Sequence, residues 1–303
     1  MNETKTAIAV LGNVTLDIIC KSVDDVPRHD SISFQEAAVT PGGCGSNTAI
    51  GLAKEGEKVY LVACTGDDLT ADLLHQTWEK TGVDTHFTKR FTDQGSGVSV
   101  GLVDSDFQPR FIHTTGANKN LRPKSVQPEK LKEHRVGIVH VAGFFVLPGL
   151  LDAGFEHNLS LLQEKEIFVS LDVVTSPAMD KPEHLWPLLP FLNLFLCNLR
   201  EAEILTGHCD PESASGVLHQ KGATSVVIKL GSMGCWLSEA GLGKLIPAPP
   251  IKQVVDTTGA GDAFAAGLLA ALRKGEDLDD ACRAGIYLAS KTVQYLGAVN
   301  ISS

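Results

Sequence analysis

Four consecutive residues, Gly259, Ala260, Gly261 and Asp262, stand near the head of a stretch that is otherwise apolar on nearly every side, VDTTGAGDAFAAGLLAAL (255–272). A helix of that composition belongs inside a protein, where an unpaired carboxylate is costly, so Asp262 must be either partnered or employed. The first N–H groups of a helix have no acceptor within it, and together with the macrodipole they favour anions. Small residues at 259–261 let a phosphate approach that backbone closely. A carboxylate in the same turn can take the proton of an attacking hydroxyl. Phosphoryl transfer needs both parts, and a general base adds about 10²–10⁴ in rate. On these residues alone an alternative stands level with this one: Asp256, Thr257 or Thr258 caps the helix, and Asp262 merely complements its positive end. Neither G-x-x-x-x-G-K-[ST] nor G-x-G-x-x-G occurs in the chain, so a bound nucleotide would be held by another device.

The elements that must position this turn are legible from hydrophobic periodicity. Short apolar runs, AIAVLG (7–12), KVYLVAC (58–64), VGIVHVAG (136–143), IFVSLDV (167–173), LNLFLC (192–197) and SVVIKLG (225–231), alternate with helical or turn-rich patterns. Helices are expected from about Ser46 to Glu55 and over about 68–81. Strands that are apolar throughout, each followed by a helix, predict an α/β protein with a mainly parallel sheet covered on both faces. One segment departs from this pattern. SGVSVGLVDSDFQPRFIHTTGAN (96–118) alternates apolar and polar residues on either side of a polar turn, which predicts an antiparallel flap, joined by DSISFQEAAVT (30–40). A two-stranded hairpin is weak alone and must lean on other strands or a second subunit, which makes it a candidate lid.

Composition narrows the functions. The 303 residues are 43% hydrophobic, enough to bury a full core, and carry a formal charge of -10 with no basic run, which argues against nucleic acid or anionic lipid as partner. No apolar run reaches the length of a membrane span, and the first residues lack a basic leader followed by an apolar segment, so a cytoplasmic protein is expected. The seven cysteines make no C-x-x-C and no metal-like cluster with histidine. Most read as small core residues; Cys44, between glycines in an expected loop, is either an inert side chain or a reactive thiol.

Two long motifs then point to a family. DTTGAGDAFAAG resembles the carboxyl-terminal signature of the ribokinase-like (PfkB-type) carbohydrate kinases, and PGGCGSNTAIGLAKEG (41–56) resembles their amino-terminal Gly-Gly signature. LGNVTLD (11–17), CTGDD (64–68), VHVAGFF (139–145), CNLREAEILTG (197–207) and VVIKLGSMGCW (226–236) are also similar to family segments, so the likeness covers almost the whole chain. It implies one ribokinase-like kinase domain over 1–303. Its fold would be a three-layer α/β/α sandwich with a mostly parallel central sheet and a small β-sheet lid from segments about 30–40 and 96–118.

The resemblance also implies roles. Asp262 matches the catalytic base, and Gly259, Ala260 and Gly261 the anion hole for the γ-phosphate. Asp256 and Thr258 match a loop that in many relatives binds a monovalent cation, usually K+. Asn198 and Glu201 fit an N-x-x-E pattern that supports Mg2+ and the phosphates of ATP, Glu201 acting through water; alone, Glu201 reads as a solvated residue in a helix's first turn. Lys229, Gly231, Ser232 and Gly234 match a nucleotide-binding strand and turn, and otherwise read as a tight turn between strands.

On the acceptor side Asp17 matches an aspartate that grips sugar hydroxyls, while Gly42, Gly43 and Asn47 match residues lining the same cleft; alone these three read as a turn and a helix cap. Family habit implies a homodimer through the lid. Two departures stand out: GDD (66–68) lacks the glycine that often follows, and Thr15 stands where ribokinases tend to have asparagine. The expected reaction is ATP-dependent phosphorylation of a hydroxyl on a small sugar. A nucleoside is the rival acceptor, with Phe34, Phe107, Phe111 and Phe144 as candidate base-slot residues. A phosphosugar, held by Arg90, Arg110 or His113, ranks below the free sugar. A sugar-binding regulatory protein without turnover is a rival class, disfavoured because Asp262, Gly261 and Asn198 are all kept. A dinucleotide-dependent oxidoreductase lacks its glycine fingerprint.

Overall fold

In the computed structural model, residues 6–105, 109–151, 154–251, 253–295 and 297–298 are described. In chain order the strands are β1 (Ala7–Gly12), β2 (Thr15–Lys21), β3 (Glu36–Gly42), β4 (Val59–Val62), β5 (Cys64–Gly66), β6 (Val83–Asp84), β7 (Lys89–Phe91), β8 (Gly97–Val103) and β9 (Pro109–Thr114). They continue with β10 (Val136–Ala142), β11 (Phe168–Asp172), β12 (Leu194–Asn198), β13 (Ser225–Lys229), β14 (Cys235–Glu239) and β15 (Leu242–Ile246). The α-helices are α1 (Cys44–Lys54), α2 (Leu69–Thr81), α3 (Pro128–Glu133), α4 (Phe155–Glu164), α5 (Leu199–Thr206), α6 (Pro211–Gln220), α7 (Ala260–Arg273) and α8 (Leu278–Thr292).

Among the described residues the main sheet runs β15-β14-β13-β12-β11-β10-β1-β4-β6, parallel from β6 to β13 and antiparallel over the last hairpin. Strand alternation divides its apolar side chains between two layers. Ile8 and Val10 of β1 pack with Ile50 of α1, Leu74 and Trp78 of α2, Leu268 of α7 and Ile286 of α8. Ala7, Ala9 and Leu11 face the opposite core, with Leu131 of α3, Leu159 of α4, Leu205 of α5 and Leu218 of α6. Sheet and helices thus form the expected three layers, and the apolar run of α7 is buried on one of them.

The hairpin of 96–118 forms as β8 and β9, within a second sheet of order β3-β2-β8-β9. The expected third segment differs in detail: the strand is Glu36–Gly42, later than 30–40, and β2 joins as a central strand that periodicity did not single out. Residues 106–108 of the hairpin turn, Phe107 included, lie outside the described residues. Helix α1 also begins earlier than expected, at Cys44. Gly43 at φ +83° is its N-cap, so the backbone turns into the helix as soon as β3 ends, and Cys44 is the first helical residue rather than part of a loop.

Candidate active site

The opening of α7 is left uncapped by side chains. Its N-cap is Gly259, at φ +74°, packed so tightly on Ala298 that an added Cβ would lie 2.5 Å from the Ala298 Cβ. Of the alternative capping residues, Asp256 turns back into its own loop: Oδ1 accepts from the Thr258 N–H at 2.9 Å and from its hydroxyl at 2.7 Å, and Oδ2 accepts from the Gly297 N–H at 2.9 Å. The first-turn amides of α7 are therefore free of any side-chain cap, and Thr257, Ala260 and Gly261 line an open cleft of about 470 Å³.

Asp262 lies in that first turn, facing α1. Asn47 Nδ2 donates to Asp262 Oδ2 at 2.8 Å, which joins two residues 215 positions apart. One turn further along, a β-carbon on Gly51 would come 2.9 Å from Ala266 Cβ, so the glycine lets α1 and α7 approach closely enough for that hydrogen bond. Burial and the Asp172 charge push the Asp262 carboxyl up to about 7, against the hydrogen bonds from Asn47 and Cys44 and the charge of Lys229. Asn47 Oδ1 is buried and has no protein partner.

The second sheet brings Asp17 and Gly42 together, and Asn47 follows on α1, just after β3 ends. In its register Thr15 lies opposite Gly42 and Asp17 opposite Thr40, Ser99 continues that row on β8, and His113 ends it on β9. Thr15 Oγ1 donates to Asp17 Oδ1 at 2.7 Å, and burial raises the Asp17 carboxyl despite that bond. The carboxylate lies flat against Gly42, where an added Cβ would be 2.1 Å from Asp17 Oδ2. Gly42→Ala must therefore displace Asp17. About a tenfold or larger rise in acceptor KM is expected, one lost charge-assisted hydrogen bond, with ATP affinity unchanged; steady-state kinetics with each substrate varied checks it.

Lys229, which lines the cleft, ends β13, and Asp172 ends β11, two strands away. Lys229 Nζ donates to Asp172 Oδ2 at 2.8 Å and to Oδ1 at 3.0 Å, with side chains 14% and 8% exposed. Burial opposes the ammonium, but Asp172 and Glu201 outweigh it and hold Lys229 protonated. Its Nζ also lies 3.2 Å from the position of a Cβ on Gly261. Glu201 is not solvated. It is 3% exposed, and with Asn198 it forms a capping box at the start of α5, Asn198 N–H donating to Glu201 Oε2 at 2.7 Å and Glu201 N–H to Asn198 Oδ1 at 2.9 Å. Asn198, Lys229, Gly231, Ser232 and Gly234 all line the cleft, whose far wall is apolar, from Pro249 and Ile251 to Ile286 and Val293.

Other expected contacts fall away. Phe144 is fully buried in the core below β10, so it cannot line a slot; Phe34 and Phe111 are 44% and 45% exposed. Arg90 is ion-paired with Asp72 and Asp67, and Arg110 donates to the Val23 and Asp24 carbonyls, which leaves His113 as the unengaged basic candidate on the second sheet. Among the described residues no three His, Cys, Asp or Glu side chains gather as a metal cluster. Asp172 went unread in the sequence. Its one signal was position, an Asp closing the apolar run IFVSLD, because sites in open α/β sheets collect at the carboxyl ends of strands.

The chain is 26% identical over 299 residues to ribokinase of Haemophilus influenzae, covering 97% of this chain and 94% of that one. It is 28% identical over 304 residues to ribokinase of Mus musculus, covering 97% and 91%. The solved structure of Arabidopsis thaliana ribokinase complexed with ribose and ATP matches at TM-score 0.85 and 26% identity, over 97% of this chain and 95% of that one, so the fold is ribokinase-like. Residues 5–303 match the pfkB family carbohydrate kinases, and the chain belongs to that family of ATP-dependent phosphotransferases with a sugar alcohol group as acceptor.

Proposed function

We propose that the protein transfers the γ-phosphoryl group of ATP to a hydroxyl of a small neutral sugar held between Asp17 and Asp262. The observation that carries this reading is the shared first turn of α7, where uncapped amides and a carboxylate of raised pKa meet the Asn47 side chain. Asp17 accepts hydroxyl hydrogen bonds through the oxygen that Thr15 leaves free, and the unpartnered Asn47 Oδ1 accepts another. Asp262 removes the proton of the attacking hydroxyl, and the amides of 259–261 hold the phosphoryl oxygens as charge develops on them. Lys229, fixed by Asp172 beside Gly261, adds its charge to that end, while Asn198, Gly231, Ser232 and Gly234 carry the rest of the nucleotide.

With no three-carboxylate cluster among the described residues, a Mg2+ ion would keep much of its hydration shell, with Glu201 reaching it through water. Held there, Mg2+ would supply positive charge against the phosphates. In the Asp256–Thr258 loop the Asp256 carboxylate is taken up by Thr258 and Gly297, so a K+ ion would rely on backbone carbonyls, with Asp256 and Thr258 shaping the loop around it.

The second sheet is the lid in this reading, closing Asp17 over the acceptor and excluding water as a competing nucleophile. Its other face supports a homodimer. Ile18, Val39, Val100 and Ile112 lie in one register row there, with Val39 59% and Ile112 67% exposed. Native protein is expected to sediment as a dimer and Ile112→Asp as a monomer; a monomeric native protein contradicts the pairing. The formal charge of -10 supports no nucleic-acid partner. No helix among the described residues is long and apolar enough to cross a membrane, and all seven cysteines are free, which supports a cytoplasmic location.

With Asp262 titrating at about 7, kcat should rise as pH rises through about 7, because only the carboxylate accepts the proton. A base of ordinary carboxylate pKa would instead leave the rate flat from pH 5.5 to 8. The acceptor is tested by ADP release with Mg2+ and K+ across free sugars, nucleosides and phosphosugars. Turnover on neutral sugars is expected. Phe111, beside Ile19 over Gly101 on the Asp17 face of the lid, favours nucleosides as the second reading. Exclusive turnover on phosphosugars would overturn the neutral-acceptor assignment.

A further inference from the structure

The chain passes between the main sheet and the second sheet four times, at residues 13–14 between β1 and β2, at Gly43 between β3 and α1, at Ser96 ahead of β8, and at Thr115 after β9. Three of these crossings meet at one buried side chain. Asn118, 1% exposed, accepts from the Val14 N–H through Oδ1 at 2.9 Å, and its Nδ2 donates to the Val14 carbonyl at 2.8 Å and to the Thr115 carbonyl at 2.9 Å. One carboxamide thus satisfies both backbone groups of Val14, as a neighbouring strand would, just before the β2 ladder with β3 and β8 begins at Thr15. Gly97, the first residue of β8, lies against the same point: an added Cβ would be 2.6 Å from Asn118 Nδ2 and 2.8 Å from the Val14 carbonyl oxygen. The remaining crossing is tied to the first through Asn13, whose Oδ1 accepts from the Cys44 N–H at 3.1 Å and whose carbonyl accepts from the Gly45 N–H at 3.0 Å.

We propose that Asn118 is a positioning residue for the acceptor site: it pins the roots of the second sheet to the body and so sets where Asp17, three residues beyond Val14 on β2, stands relative to Asp262. The proposal rests on the reading of that sheet as the lid and of Asp17 as its acceptor contact. Asn118 is enclosed, with its amide oxygen and its amide nitrogen both engaged within the protein, so it acts through the backbone of β2 rather than by touching a substrate. An alanine there leaves the N–H and carbonyl of Val14 and the carbonyl of Thr115 without this partner, the costly kind of loss for buried polar groups. Because β3, β2, β8 and β9 are paired to one another along their lengths, loosening the roots displaces the sheet as a unit, and Asp17 with it.

The test uses the full-length protein, with D-ribose and MgATP as kinetic probes and amide hydrogen exchange as a readout that needs no turnover. In Asn118→Ala the KM for D-ribose should rise about tenfold while that for MgATP stays within about twofold, since the nucleotide cleft is built on Asn198 of β12, Lys229 of β13 and Ile286 of α8. ATP hydrolysis without sugar should rise relative to phosphorylation, because a loosened lid excludes water less well. Exchange should speed about tenfold or more in peptides spanning 14–21 and 97–103 and stay native in peptides of α7. Gly97→Ala, a milder wedge into the same point, should repeat the pattern, and it carries the test if Asn118→Ala does not fold. Exchange accelerated evenly across the protein, or KM values for D-ribose and MgATP rising together, would mark an ordinary core contact and overturn the proposal. No turnover of D-ribose by the native protein would count against ribose as acceptor, and the exchange contrast between the second sheet and α7 would then decide the role of Asn118 by itself.

Discussion

Asp262→Asn is expected to lower kcat by two or more orders of magnitude while the protein stays folded and binds ATP, since a general base contributes about 10²–10⁴. The exchange is nearly isosteric, and the amide oxygen at 262 can still accept from Asn47 Nδ2, so the contact between α1 and α7 survives. Stability adds a second readout with a definite sign. A carboxyl raised to about 7 in the folded chain binds its proton more tightly there than when unfolded, so it lowers stability as pH rises from about 4 to about 7. Asparagine removes that penalty. At pH 8 the variant should therefore unfold at higher denaturant than the native protein while being nearly inactive, a combination that a merely structural Asp262 would not give.

Asp172→Ala should cost about 3 kcal/mol of stability, the usual penalty for leaving one member of a buried ion pair behind. Lys229 would keep its charge at 14% side-chain exposure with only the more weakly acting Glu201 and Asp262 left to balance it, and its Nζ would lose both hydrogen bonds that hold it beside Gly261. Turnover should fall as well, because the lysine would no longer be fixed against the phosphate end. The double variant Asp172→Leu/Lys229→Met removes both charges and should recover much of the stability, but not the activity. Denaturant unfolding and kcat measured on the three variants check this. Equal stabilities across the series would contradict the pair's structural role, and normal turnover in Asp172→Ala its role in orienting Lys229.

The strands of the main sheet were legible because a strand buried on both faces reads as an unbroken apolar run; AIAVLG forms β1 over Ala7–Gly12 as expected. The uncapped turn at Gly259 was legible in part, since small residues ahead of an apolar helix are an anomaly that calls for a ligand or a partner. Backbone decisions were less visible. The start of α1 is set by the positive φ of Gly43, which side-chain patterning does not record, and that hid Cys44's place in the helix. The strand TLDIICK carries no clean alternation, so Asp17's seat in the centre of the lid sheet emerged only from its pairing with β3 and β8. Asp172 and Lys229 lie 57 residues apart on strands that flank β12, so their ion pair depends on strand order, which periodicity does not give. N-x-x-E, legible as a family pattern, proves to be a capping box that buries Glu201.

The most direct test is a crystal structure of Asp262→Asn with D-ribose and a slowly hydrolysed MgATP analogue. The account predicts the γ-phosphate within hydrogen-bond distance of the backbone amides at Ala260 and Gly261, and an acceptor hydroxyl between residue 262 and Asn47, with Asp17 on the sugar's other hydroxyls. A γ-phosphate bound away from the α7 terminus, or a sugar seated out of reach of residue 262, would contradict it.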